Sequence, residues 1–323
     1  MSLPNFLVIG AGRAGTTSLH HYLKAHPDVY VPDVKSPSHF YCHGLAPSSD
    51  PHIRAVTQNY FVSDPAAYEA LFDGVRGQRA IGEVSPVYLA TIRAAARIAV
   101  RLPDVKLIAL MRHPVDRAFA RFVGRSRDGL ESRTRFADVV RDERRDPLVR
   151  DDAAGTYLAG GFISHFVASY LERFPRERIR IHLFEDFQRD PGGIVRDLFE
   201  FLDVDPTFVP DMTRRHNQSG GVVRNRLVRR IWTDTALLRA RARTYLPVSV
   251  RDRVFAMVTR DLIPVRLEPA LRAELTELYR EDIERLAVLL DRDLSHWLTD
   301  SPAGGDRQRP LGEPSGARTG PVQ

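Results

Sequence analysis

"FLVIGAGRAGTTS", residues 6–18, decides the fold. Its first four residues are an unbroken apolar run, which suits a short strand buried on both faces. Gly10, Gly12 and Gly15 then let the backbone curl tightly. "TTSLHHYLKAHP", residues 16–27, has helical spacing, with Leu19, Tyr22 and Leu23 on an inward face, Thr16 or Thr17 as cap and Pro27 as its end. A strand, a glycine-rich turn and a helix N-terminus in that order make an anion site, because free backbone N–H groups and the helix dipole point at one place. Thr16, Thr17 and Ser18 add hydroxyl donors, and Arg13 adds a fixed charge.

Two nucleotide-loop patterns come close and differ from it. An ATP or GTP loop carries lysine directly after its last glycine; here that position is Thr16, so the contact to a γ-phosphate is missing. "GAGRAG" fits a dinucleotide fingerprint by letters, but that fold needs an acid about 20 residues on, at the end of a second strand. Asp33 is the one near candidate, in a region (residues 33–62) that is polar and broken by prolines. A loop that long is functional or disordered.

Further along, strands and helices alternate. "RAIGEVSP" (79–86) predicts a second strand and "VYLATIRAAARIAVRL" (87–102) a helix. "VKLIALMRHP" (105–114) predicts a third strand, with Pro114 opening the helix "VDRAFARFV". "RIRIHLFEDF" (178–187) predicts a fourth strand, ended by Glu185 and Asp186, and "GGIVRDLFEFL" (192–202) another helix. That alternation predicts an α/β fold: a P-loop-like three-layer sandwich with a mostly parallel central sheet covered by helices on both faces. "PALRAELTELYREDIERLAVLL" (269–290) reads as a helix with Leu271, Leu275, Leu278, Leu286 and Leu289 inward. The Gly- and Pro-rich stretch 301–323 cannot bury a core and is expected to be a disordered tail, leaving 1–300 as a single domain. No internal repeat is visible.

Composition narrows the chemistry. The chain has 323 residues, enough for one large α/β domain. A formal net charge of +6, mostly from arginine, suits an anionic ligand. A nucleic-acid-binding protein is a further alternative, but the basic residues are spread along the chain and balanced by 41 acids, without clusters of stacking aromatics. Cys42 is the single cysteine, so no internal disulfide and no cysteine-rich zinc site can form. The opening "MSLPNFLVIGAGR" has no basic leader and too short an apolar run for a signal peptide. No run approaches the ~20 apolar residues of a membrane span. The expectation is a cytoplasmic protein; oligomeric state is not readable.

"FLVIGAGRAGTTSLHHYLKAHPDVYVP" resembles the opening of sulfotransferases that use 3′-phosphoadenosine 5′-phosphosulfate (PAPS), especially the bacterial and carbohydrate branches: a strand, then G-x-x-K-[AGS]-G-T-T, then a helix and "HP". The resemblance implies that Gly12, Arg13, Ala14, Gly15, Thr16, Thr17 and Ser18 hold the 5′-phosphosulfate. No γ-phosphate exists in that donor, so no Walker lysine is required, and no metal is implied. Arg13 stands where the family has lysine; it keeps the charge but cannot give up a proton. "KLIALMRHPVDRAFARF" resembles the second signature, R-[ND]-P-V-x-R-A-x-S, whose arginine and serine bind the 3′-phosphate. Arg112 matches the arginine; the serine position is Ala120, with Arg121 a possible compensation. "HNQSGGVVRNRLVRR" (216–230) resembles the late basic loop, which implies Gly220, Gly221 and Arg224 near the nucleotide, while Arg226, Arg229 and Arg230 read as a solvated face. The likeness runs through "FPRERIRIHLFEDF" to "LLDRDLSHWL" and so covers roughly residues 5–298.

By that resemblance the reaction is in-line sulfuryl transfer from PAPS to a hydroxyl or amine of a small-molecule, carbohydrate or glycolipid acceptor. Such a transfer has a loose transition state and is served by positioning and electrostatics. The carbohydrate branch places its base in a stretch like K-E-P-H-F-F. Here the stretch is "VKSPSHFY" (34–41), with Ser36 in place of the glutamate. His39 is the leading base, since histidine titrates in the useful range; Glu83 is the second candidate. Lys35 would contact the sulfonate or the leaving oxygen. The acceptor is expected to meet the loop at 33–62 and the irregular stretches near 124–160.

Overall fold

The computed structural model describes residues 3–33, 41–42, 62, 64–145, 153, 156–213, 221–223, 228, 231–232, 234–235, 253, 257, 262–263 and 265–299. β1 (Phe6–Gly10) is buried at every position, as an all-apolar run demands. The glycine turn leads into α1 (Thr16–Ala25), which buries Leu19, Tyr22 and Leu23 as its spacing predicts. There follow β2 (Val29–Tyr30), α2 (Pro65–Ala70), β3 (Ala80–Val84), α3 (Ile92–Arg101), β4 (Lys106–Met111) and α4 (Pro114–Asp128). Next come α5 (Phe136–Glu143), α6 (Ile163–Leu171), β5 (Ile179–Leu183), α7 (Phe184–Arg189) and α8 (Pro191–Phe201). β6 (Val222–Val223), β7 (Leu262–Ile263), α9 (Pro269–Leu278) and α10 (Arg280–Leu290) complete the described elements.

The main sheet has the order β2-β3-β1-β4-β5, and each of its pairings is parallel. β1 is therefore central, and the loop after it opens at the carboxyl ends of the strands, where ligands of open α/β sheets bind. Alternate residues of β5 show that both faces are covered. Ile181 meets Val167, Tyr170 and Leu171 of α6 on one side, and His182 bonds Asp197 of α8, 2.9 Å away, on the other. α1 packs with α8, while α3 and α10 pack with α6. β6 and β7 pair antiparallel, apart from the main sheet. Among the described residues no helix is long and apolar enough to cross a membrane.

The structure departs from the sequence reading at four places. Gly15, not Thr16 or Thr17, is the residue that caps α1, because the chain enters the helix through a left-handed φ of 87° that glycine adopts without strain. β2 is an edge strand of two residues, too short to leave a pattern. Glu185 and Asp186 do not end a strand: β5 stops at Leu183 and both acids lie in α7. Asp186 pairs there with Arg292 and Arg189, and Glu185 accepts a 2.6 Å hydrogen bond from the Trp297 indole. The long helix after Pro269 is two helices. They meet at Tyr279, which is fully buried and whose hydroxyl donates to the Leu158 carbonyl at 2.8 Å. The tail beyond residue 300 lies outside the described residues.

Candidate active site

The loop at 10–18 is fastened from both sides. The Ala11 N–H donates to the Leu110 carbonyl of β4 at 2.7 Å, and the Ala14 N–H folds back to the Ala11 carbonyl at 3.2 Å. Ala14 is buried. Gly15 packs so closely on α7 that a Cβ there would stand 3.1 Å from the Phe184 ring. α1 thus begins with no capping side chain and no acid in its first turn. The positive end of its dipole therefore meets no acidic side chain of its own first turn, which suits an anion there. Thr16 is buried, while Thr17 and Ser18 are half-buried on that turn.

Arg13 adopts a left-handed backbone, φ 73°, and lays its guanidinium against α4. It lies close over Gly124: a Cβ there would stand 2.5 Å from the guanidinium atoms and would displace them. Burial pulls the Arg13 pKa below its usual range; Asp128 opposes that shift, and Arg127 and Arg125 add to it. Arg112, at the end of β4, donates from Nη1 to the Arg13 carbonyl at 3.0 Å, and its Cζ stands 4.7 Å from the Phe184 ring centroid. The two segments singled out in the sequence are therefore neighbours, both resting on Phe184.

His113 stands where the resembling signature has Asn or Asp, and it caps the helix that follows. Its Nδ1 accepts from the Val115 N–H at 3.2 Å and caps α4. Its Nε2 donates to the Trp297 carbonyl at 2.8 Å, which fixes the neutral tautomer, and burial lowers its pKa. Ala120 is 4% exposed; with a methyl for a side chain it supplies no donor to a ligand, so it drops out of the contact set. Gly221 is buried, with φ 122°, and leads into β6, which packs on α4. Lys35, Ser36, His39, Gly220 and Arg224, with Arg226, Arg229 and Arg230, lie outside the described residues.

Glu83 is corrected by its surroundings. It is 0% exposed, neither carboxyl oxygen makes a hydrogen bond, and burial pushes its pKa up to about 7, with the nearby Tyr88 and Ser85 hydroxyls limiting the rise. A base must lie within hydrogen-bond reach of the proton it takes. Glu83 is sealed inside β3 instead, so in this structure it faces no open cleft.

A small cleft opens beside the loop, and Phe184 is not among its lining residues. Ala11 and Gly12 form its loop edge, Pro86, Val87, Leu89 and Ala90 one wall, and Ile163 and Phe166 of α6 another. The wall at 85–90 is held because the Ser85 and Leu89 N–H groups donate to the Val8 and Ile9 carbonyls of β1, at 2.9 and 2.8 Å. α6 is held by Asp282 of α10, whose carboxylate accepts from the Ile163 N–H at 2.8 Å and the Ser164 hydroxyl at 2.5 Å. The remaining wall is cationic: Arg117 and Arg121 of α4.

Sequence reasoning named Arg121 only as a possible replacement for the serine missing at position 120, and did not see the wall. The signal was there: Arg117, Arg121 and Arg125 recur every fourth residue and so fall on one helical face. Arg117 donates to the Tyr157 carbonyl at 2.6 Å and Arg125 to the Leu130 carbonyl at 3.2 Å. The Arg121 and Arg125 guanidinium carbons stand 6.0 and 5.5 Å from the Tyr157 ring centroid. Tyr157 is itself fixed by its hydroxyl, 2.6 Å from Glu131, and by its N–H on Glu143.

Comparison with known proteins agrees with this architecture. A sequence model described as "Sulfotransferase family" matches residues 4–208. The crystal structure of a sulfotransferase from Alicyclobacillus acidocaldarius superposes with a TM-score of 0.70 at 32% identity, covering 92% of this chain and 99% of that one. The human bifunctional heparan sulfate N-deacetylase/N-sulfotransferase 2 is 24% identical over 221 residues, 68% of this chain and 24% of that protein. The mouse heparan sulfate glucosamine 3-O-sulfotransferase 3B1 is 26% identical over 208 residues, 62% of this chain and 46% of its own length. The chain thus spans about a quarter to a half of those curated relatives.

Proposed function

The chain belongs to the sulfotransferase family, and from this we propose that it moves a sulfuryl group from PAPS to a hydroxyl or amine of a small-molecule, carbohydrate or glycolipid acceptor. The donor set present in the chain fits such a ligand. The start of α1, with Gly15, Thr16 and Thr17, offers N–H and hydroxyl donors to a 5′-phosphosulfate. Arg112 offers a guanidinium to the 3′-phosphate in place of the pair that the family's arginine and serine would make. The observation that carries the reading is the 3.0 Å bond between Arg112 Nη1 and the Arg13 carbonyl, because one nucleotide must reach both elements. The likeness to enzymes named for carbohydrate sulfation supports a carbohydrate among the candidate acceptors.

When bound, PAPS supplies an activated sulfuryl group on a phosphate leaving group. The chain's own part is electrostatic and positional. Arg13, half-buried and next to the loop, stabilises negative charge that gathers on the leaving side; it remains protonated while doing so. The walls at 85–90 and α6 hold the acceptor in line and keep water away. His39 is the proposed base, taking the proton of the acceptor hydroxyl at a ring nitrogen.

Transfer of label from the sulfuryl group of PAPS to a panel of hydroxyl and amine acceptors tests the reading, with a His39→Ala variant alongside. Labelled product, reduced in the variant, is expected. Stabilisation of the protein by ATP with Mg²⁺ and not by adenosine 3′,5′-bisphosphate would overturn it in favour of a nucleotide kinase or NTPase.

A further inference from the structure

The cleft wall on α4 carries more positive charge than the donor reading uses. Arg117 is 4% exposed, and its Nε has no hydrogen-bond partner. The Nε of Arg125 is in the same state. Among the described residues, Arg117 and Arg125 bond backbone carbonyls and no carboxylate. A guanidinium enclosed without an anion is costly, and burial is normally offset by pairing. Repulsion inside the group is visible in Arg121, whose pKa is pushed down to about 9, first by burial and then by Arg125 and Arg117. A concave wall of one sign between apolar walls focuses its field into the space in front of it.

Phe184 is not among the residues that line that space. The elements that suit the donor, Gly15 and Arg112, rest on Phe184, whereas the cleft meets the loop only at Ala11 and Gly12. We propose that the cleft selects an acceptor bearing its own anionic group, a carboxylate or a sulfate ester, and that Arg117 and Arg121 hold that group beside the accepting hydroxyl. The apolar walls, Val87, Leu89 and Phe166 among them, take the acceptor's carbon frame. This rests on the sulfotransferase reading and names the substrate class of the same site.

Acceptors matched in frame, in which an anionic group replaces one hydroxyl-bearing group, test it: methyl glucoside against methyl glucuronide and against methyl glucoside sulfate, and para-hydroxybenzyl alcohol against para-hydroxybenzoate. The measurement is kcat/KM for each with wild type, Arg121→Met and Arg121→Lys, together with the Kd of adenosine 3′,5′-bisphosphate. Wild type is expected to favour an anionic member over its neutral partner by about tenfold or more, the worth of one charged hydrogen bond. Arg121→Met brings that ratio toward unity, and Arg121→Lys leaves it in between. The glucuronide and sulfate arms tell which anion is preferred. Preference for neutral members, sulfation of no anionic member, or an unchanged ratio in Arg121→Met would overturn the proposal. A wild type that binds adenosine 3′,5′-bisphosphate yet prefers neutral acceptors refutes this inference alone; one that does not bind it refutes the underlying reading.

Discussion

Arg112 and Arg121 stand nine positions apart along one strand–helix unit, and they behave differently. Arg112 leans on Phe184 and ties itself to the Arg13 carbonyl; its place follows from a strand end, and a motif finds it. Arg121 belongs to a ladder on the face of α4, where helix periodicity brings it beside Arg117, the signature's second arginine. The first side has the parts for a nucleotide that many enzymes could share. The second has the parts to choose what is done with it. On the proposed reading, the signature reports the half of the site shared with other enzymes, while the individual half is written in spacing.

Arg13 joins the two sides, so its removal separates them most sharply. Arg13→Ala should lower kcat by about 10²–10³, the usual loss for one preorganised oxyanion donor, with a smaller change in the affinity for adenosine 3′,5′-bisphosphate. Steady-state kinetics and calorimetry check it; loss of affinity with kcat intact would assign Arg13 wholly to the donor side.

Glu83 tests whether the interior between the sides is structural. Its folded pKa, about 7, lies above its ordinary value of 4.5. The sign follows: the native state prefers the protonated acid, so stability is full below the unfolded pKa and is lost as pH rises from there through about 7. Glu83→Gln should therefore match wild type near the lower limit and exceed it at pH 8 by roughly 1–3 kcal/mol. Thermal melts across that range read it out, and equal Tm differences at both ends would contradict the burial account.

Asp282 concerns the cleft side alone. Its carboxylate satisfies the first N–H groups of α6, although burial raises its pKa. Asp282→Ala should cost about 1–2 kcal/mol, the scale of a lost helix cap, seen as a lower denaturant midpoint with an unaltered slope.

The layout of the fold was legible because its determinants are local. The apolar runs at β1 and β4 admit one structure, and Pro114 marks the start of α4 where the sequence puts it. What stayed hidden depended on partners distant in sequence. The last two helices meet at Tyr279, whose hydroxyl reaches Leu158, 121 positions away. Glu83 looks like a functional acid in "GEVSP", and only the enclosure of β3 turns it into an interior one. The capping role of His113 was unreadable for the same reason, since the Trp297 carbonyl that orients it comes from the far end of the domain. The cationic wall could have been found from its four-residue spacing, had the arginines been read as a helix face before being matched to a signature.

The central claim is that the loop after β1 and the arginine at the end of β4 grip a single nucleotide. Titration calorimetry of adenosine 3′,5′-bisphosphate against wild type and Arg112→Ala tests it directly. The account predicts saturable binding to the wild type, weakened in the variant by at least tenfold, about 1.5–3 kcal/mol; equal affinity in the two proteins would contradict it.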